Sequence, residues 1–178
     1  MDLVRAARGG DEAAFVQLFD DHHAPLFRFA YRMTGSAADA EDIVQECFLE
    51  LLRPGCSYDP GRTSVRTYLF GVVRNQSLKR IQRNARAQEI DVEPVAAHSP
   101  ESLALHAELK DVVAEAVLQL PESQRDVLIL AHYEQMPLAE IARLLELEAS
   151  AVKSRLQRAR ARLKELLAAY APGLEKRS

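Results

Sequence analysis

At 178 residues, 48% of them hydrophobic, the chain is long enough for one medium domain or two small ones with packed cores, which excludes wholesale disorder. Seven glycines, no tryptophan and an abundance of Ala, Leu, Arg, Glu and Gln favour helix over strand. The net charge of −3 argues on its own against a nucleic-acid binder, and no run approaches the roughly 18 uninterrupted apolar residues needed to cross a bilayer.

In chain order, the N-terminal Met1-Asp2-Leu3-Val4-Arg5 lacks the charged-then-apolar layout of a secretion signal, so a cytoplasmic protein is expected. Cys47 and Cys56 show neither CxxC spacing nor the density of a disulfide scaffold, which fits that location. Pro25 is expected at the first position of a helix carrying Leu26, Phe29, Ala30 and Met33 and stopped by Gly35. Ser36 is a good N-cap for the next helix, with Asp39 favouring the positive end of its dipole. There Ile43, Val44, Cys47, Phe48, Leu51 and Leu52 recur at helical spacing until Pro54-Gly55 breaks the run.

A polar loop over 55–62 leads into a third helix from about Thr63, with Val65, Leu69, Val72 and Val73 on one stripe and Arg66, Arg74 and Asn75 projecting elsewhere. Residues 85–99 form the linker expected from their sparse, aperiodic apolar content, and Ser99-Pro100-Glu101 starts the next helix. That helix carries Leu105, Leu109, Val112, Val113, Ala116, Val117 and Leu120 and ends at Pro121. Shorter helices follow over 122–133, 138–145 and 149–170. The expected fold is all-α, two small helical domains joined by a flexible linker: 1–84, the linker 85–99, 100–172 and a tail 173–178.

The distribution of charge points the opposite way from its sum. Residues 62–88 hold seven basic side chains and no acid, and 153–164 hold six basic and no acid. Residues 37–50 hold five acids and no base. Solvated helix faces normally intermix signs; this segregation predicts two polyanion-facing surfaces and one acidic surface with another purpose.

Residues 138–145, a four-residue turn and the helix from Ala149 have the proportions of a helix-turn-helix. Ala142 suits the close crossing, and Ile141, Leu145 and Leu147 form the apolar wedge. On the last helix Val152, Leu156, Ala159, Leu163, Leu166 and Tyr170 face the core, opposite Lys153, Gln157, Arg160 and Lys164. Such a helix fits the major groove. Ser150, Lys153, Ser154 and Gln157 are candidates for base contact, and Arg155, Arg158 and Arg160 for phosphate contact.

These residues carry a resemblance. Ala40-Glu41-Asp42-Ile43-Val44-Gln45-Glu46-Cys47-Phe48-Leu49 is similar to the first motif of the extracytoplasmic-function sigma factors, the smallest members of the main bacterial sigma family. Tyr58-Asp59-Pro60-Gly61-Arg62 through Thr67-Tyr68-Leu69-Phe70-Gly71-Val72-Val73-Arg74-Asn75 resembles their promoter-melting segment. Leu120-Pro121-Glu122-Ser123-Gln124-Arg125, with Val152-Lys153-Ser154-Arg155-Leu156-Gln157-Arg158-Ala159-Arg160, resembles their upstream-element reader. Each motif is weak alone; their order and spacing, from about Phe15 to Leu167, are specific.

The resemblance implies that Asp39, Glu41, Asp42, Gln45 and Glu46 dock on the clamp helices of the largest subunit of the RNA polymerase core. It implies that Tyr58, Asp59, Arg62, Arg66, Arg74, Asn75, Lys79, Arg80 and Arg83 read and open the −10 element. It further implies that the helix-turn-helix reads the −35 element, that no central domain intervenes, and that an anti-sigma factor sequesters the chain. Three positions depart from the family pattern: Tyr68 stands for Trp, Lys79 for Asp, and Glu146 for the turn glycine. A non-glycine residue at positive φ there costs on the order of 1 kcal/mol.

No phosphate loop, nucleophile elbow or HExxH motif supports an enzyme, and no cofactor or metal is expected. His22-His23 beside Asp20-Asp21 point about 100° apart on a helix and read as surface polar residues, while Cys47 reads as a small core residue. The alternative is a stand-alone helix-turn-helix regulator that binds an operator as a dimer; it leaves the acidic helix and the first basic segment unexplained. A sequestering adaptor, the third class, has no use for two basic faces.

Overall fold

The side chain of Asp11 accepts a hydrogen bond from the backbone N–H of Ala14 at 3.1 Å and starts a helix that runs to Thr34. This computed structural model describes residues 2–88 and 106–168. A short helix, α1 (Leu3–Arg8), precedes α2 (Glu12–Thr34). Pro25 therefore lies inside α2 rather than at the start of a helix, which corrects the expectation drawn from its ring. Leu18, on its N-terminal side, and Leu26, Phe29, Ala30 and Met33, on its C-terminal side, are all buried. Packing of both halves outweighs the one backbone bond that proline removes. Gly35, at φ 75°, closes the helix by donating its N–H to Tyr31 O at 2.8 Å. A Cβ there would stand 3.1 Å from Leu118 Cδ1, so the turn also needs the missing side chain.

The Ser36 hydroxyl accepts from Asp39 N–H at 3.2 Å and opens α3 (Ala37–Leu52). Ile43, Val44, Cys47, Phe48 and Leu51 are buried as expected, with Ala40 beside them, while Leu52 is only half-buried. Burial pushes the Cys47 thiol up to about 12, so it stays protonated and acts as a small apolar group. The Ser64 hydroxyl accepts from Thr67 N–H at 3.1 Å near the start of α4 (Val65–Gln88). Of the expected stripe Leu69 and Val73 are buried, while Val65 and Val72 are only half-buried; Thr67, Phe70 and Ser77 complete the core positions, because α4 packs on α2 and α3 and also meets a helix of the C-terminal half. Phe70 meets Phe29 edge to face at 5.5 Å, and the buried Ser77 hydroxyl donates to Val73 O at 2.8 Å. Residues 85–88, expected in the linker, belong to α4. Residues 89–99 and the Ser99-Pro100-Glu101 start lie outside the described residues, as do Leu105, Tyr170 and the tail 173–178.

The C-terminal half comprises α5 (His106–Leu118), α6 (Glu122–Leu128), a π-turn over Ile129–Tyr133, α7 (Leu138–Leu145) and α8 (Ala149–Ala168). Among the described residues there is no strand. Val152, Leu156 and Ala159 hold α8 to the core, and Ile141 and Ala142 bury α7. The two halves share one continuous apolar core. The guanidinium of Arg125 on α6 crosses between them, donating to Met33 O at 2.5 Å in the last turn of α2, to Leu120 O at 3.0 Å and to Leu118 O. A cation thereby meets the negative ends of α2 and α5.

Candidate nucleic-acid and protein interfaces

The turn between α7 and α8 is set by Glu146, at φ 55° and ψ 44°. Its N–H donates to Arg143 O at 3.3 Å and that of Leu147 to Ala142 O at 2.9 Å, the two bonds of a Schellman closure made here without glycine. This geometry presents the start of α8 to solvent. Ser150, Lys153, Ser154, Gln157, Arg158 and Arg160 are exposed along it, whereas Arg155 is half-buried at the edge of the buried stripe. Arg160 is also oriented from below: its Nε donates to His132 Nε2 at 3.0 Å. Burial first, and then the charge of Arg160, hold the His132 imidazole below its ordinary value, which keeps that nitrogen free to accept. His132 carries no signal in the sequence, because the contact spans 28 residues.

The second basic surface is less uniform. Arg62, Asn75, Lys79 and Arg83 are exposed on α4 and the loop before it, with Asp59 beside them. The Tyr58 ring packs against that of Tyr68, tilted by 57° with centroids 5.3 Å apart, and the Tyr68 hydroxyl meets Cys56 Sγ at 3.2 Å. Burial pushes both phenols up, so both remain neutral. Three of the arginines are engaged within the protein. Arg74 Nε lies 2.7 Å from Asp126 Oδ2, a carboxylate with no exposed surface. Arg66 donates to Glu134 O at 3.0 Å and stands 3.7 Å from its carboxylate. Arg80 lies 2.5 Å from Asp39 and 3.7 Å from Asp42.

The acidic face of α3 divides in the same way. Gln45, Glu46 and Asp42 are exposed, and Leu49, 69% exposed, stands among them. Asp39 turns toward α4, where Arg80 and the Asn84 amide hold it, and Glu41 lies 3.6 Å from His23 Nε2. The exposure of Leu49 is not legible in the sequence, since an apolar residue in an amphipathic helix reads as core. His22 and His23 are half-buried, and no group of three or more His, Cys, Asp or Glu among the described residues could hold a metal ion.

An all-helical chain with a solvent-facing basic helix in a helix-turn-helix, a second basic helix and a separate acidic face defines a multi-surface transcription factor. Residues 18–87 match the family model for Sigma-70 region 2, and residues 110–163 that for Sigma-70, region 4. The ECF RNA polymerase sigma factor SigM of Mycobacterium tuberculosis is 34% identical over 171 residues, covering 93% of this chain and 83% of SigM. SigW of Bacillus subtilis is 27% identical over 177 residues, covering 92% and 94%. Among solved structures, CnrH in complex with the cytosolic domain of CnrY superposes with a TM-score of 0.70 at 30% identity, covering 94% of this chain and 96% of that one. The sigma factor RpoE in complex with the anti-sigma factor NepR, from Bartonella quintana, gives 0.69 at 26% identity, covering 86% and 96%.

The chain belongs to the ECF sigma factors. It binds the RNA polymerase core and directs promoter-specific transcription initiation as a non-enzymatic factor, and the stand-alone operator-binding reading is not favoured. No helix among the described residues is long and apolar enough to cross a membrane.

Proposed function

We propose that this sigma factor reads the −35 element with α8 and reads and opens the −10 element with α4 and its preceding loop. In this reading Ser150, Lys153, Ser154 and Gln157 meet base edges in the major groove, while Arg155, Arg158 and Arg160 meet phosphates. The single observation that carries it is the acid-free row of exposed side chains, Ser150, Lys153, Ser154, Gln157, Arg158 and Arg160, that α8 presents. Arg62, Asn75, Lys79 and Arg83, exposed beside Tyr58 and Asp59, are the −10 side chains ready for DNA; Arg66, Arg74 and Arg80 join them once their internal partners are exchanged. Unstacking bases there costs a few kcal/mol each, which stacking on Tyr58 and phosphate contacts offset.

The acidic side of α3, through Glu41, Asp42, Gln45, Glu46 and the exposed Leu49, docks on the polymerase core; Asp39 orients this face through Arg80. The functional divisions are 1–84 for core docking and −10 recognition and 100–172 for −35 recognition. Since CnrH and RpoE were each solved with a partner, RpoE's being an anti-sigma factor, an anti-sigma factor is proposed as this chain's sequestering partner in the cytoplasm. Run-off transcription with core polymerase, with and without the chain, tests the reading. Promoter-specific transcripts are expected only with it, and Lys153→Ala with Gln157→Ala should abolish selectivity for the −35 sequence. Selective duplex binding without any stimulation of core would defeat it.

A further inference from the structure

Arg158 and Arg160, both assigned to −35 phosphates, are held differently. Arg158 Nε donates at 3.4 Å to Ser154 O of its own helix. Arg160 Nε instead donates at 3.0 Å to His132 Nε2, in the π-turn. Both Arg160 and His132 are exposed, so the contact lies on the surface that α8 turns to solvent. A guanidinium has N–H groups on Nε and on both Nη atoms, set in a planar fork. With Nε given to the imidazole, the Nη atoms remain, side by side, for a bidentate grip on a phosphate. The π-turn packs on α2, α6 and α7. Charged groups on their adjoining turns are engaged elsewhere. On α2, Arg28 acts on Glu134 and Arg32 lies over Tyr133. On α6, Glu122 acts on Arg125 and Asp126 pairs with Arg74. On α7, Glu140 meets Thr67 and Arg143 lines the cleft beside α4. The charge that acts on His132 is that of Arg160.

We infer that His132 is a positioning residue for Arg160, holding its guanidinium so that the Nη edge meets a phosphate of the −35 element. The inference deepens the reading of α8 as the −35 helix and rests on it. A free arginine on an exposed helix gives up its rotamers when DNA arrives; one already held loses less on binding. That ordering corresponds to about threefold to tenfold in affinity. The grip has a definite protonation requirement. Nε2 accepts only while it carries no proton, so the ring must be neutral with its hydrogen on Nδ1. Burial and then the charge of Arg160 lower the affinity of His132 for a proton, which keeps the acceptor in place near neutral pH. Protonation removes the acceptor, sets two cations against each other and releases Arg160. Affinity for DNA should then fall on acidification, opposite to the gain expected of a histidine that merely adds positive charge beside phosphates.

The test uses holoenzyme reconstituted from core polymerase and the full chain. It is titrated with a fluorescent duplex carrying the −35 and −10 elements of a promoter that gives run-off transcripts. Arg160→Ala should weaken binding and flatten the dependence of log K on log salt by about 0.9, the share of one phosphate contact. At pH 7.5, His132→Ala should weaken binding about threefold to tenfold, and should add nothing in the Arg160→Ala background. His132→Gln, whose Oε1 accepts as Nε2 does without titrating, should bind within about twofold of the wild type. From pH 7.5 to 5.5 the wild type should lose about threefold or more relative to His132→Gln, the loss setting in below the ordinary histidine value of 6.5. A His132→Ala chain that binds like the wild type overturns the inference. So does an effect of His132→Ala that persists without Arg160, or a His132→Gln chain as weak as the His132→Ala one, since His132 would then act through the fold alone. A ratio of wild type to His132→Gln that stays flat or rises in acid overturns it too. Arg160→Ala with wild-type affinity and an unchanged salt slope also overturns it, and places the fault in the reading of α8.

Discussion

Glu146 shows how one residue carries the helix-turn-helix. Its left-handed conformation costs an L-residue roughly 1–2 kcal/mol, yet both Schellman bonds form, because Leu147 is anchored in the wedge with Ile141 and Ala142. Glu146→Gly should stabilise the chain by about 1 kcal/mol, less than the full strain because glycine also frees the unfolded chain. Urea denaturation reads this as a higher midpoint at unchanged slope; a lower midpoint would mean that the glutamate side chain contributes more than its strain. This feature is legible in the sequence since a turn position is set by its immediate neighbours. His22 is legible only in part. Burial, then opposed by Asp21 and assisted by Arg66, lowers its affinity for a proton. The folded state holds it neutral more readily than the unfolded chain, so its contribution is present above the unfolded value of 6.5 and is lost as pH falls from there through the lower folded value. His132 acts in the same sense and Glu134, whose carboxyl burial raises, in the opposite one. The readout is therefore the difference between proteins: from pH 7.5 to 5.5 the His22→Gln variant should lose less thermal stability than the wild type. Parallel melting curves would rule out this role for His22.

At the scale of elements, caps and stripes delivered α3, α7 and the start of α8, because a serine cap, a proline and an amphipathic period are all local signals. They failed at α2 and at the end of α4, for a common reason. Proline rules describe a helix by itself, whereas Leu18 and Leu26 are both 1% exposed and each contributes about 1.5–3 kcal/mol by burial. Together they offset the ~3 kcal/mol that an interior proline costs. The polar end of α4 is likewise held from outside, by Arg80 and Asn84 on Asp39 of α3, a contact no window of sequence contains. Removing the proline tests this balance: Pro25→Ala should gain about 1–3 kcal/mol, a rise of several degrees in Tm for a chain of this size. An unchanged or lower Tm would mean that the ring's own packing matters more than the missing hydrogen bond.

For the whole molecule, the segregation of charge is legible in the sequence but the meeting of its parts is not. Asp126 and Arg74 stand 52 residues apart and Arg125 and Met33 stand 92 apart, so neither pairing has a sequence signal. Their consequence is thermodynamic as well as functional. With one core running through both halves and Arg125 bridging them, neither half opens without exposing surface of the other. The free chain should therefore melt in a single calorimetric transition of ~100 kcal/mol, with calorimetric and van't Hoff enthalpies equal. Arg125→Ala removes the charged donor from the carbonyls of Met33, Leu118 and Leu120, and each group left unpaired in the interior costs about 1–3 kcal/mol. That loss falls on the contact between halves and on the end of α5 rather than on the core of α2 and α3. The variant should then melt in two steps, the C-terminal half first. Two transitions in the wild type would show instead that the halves are energetically independent.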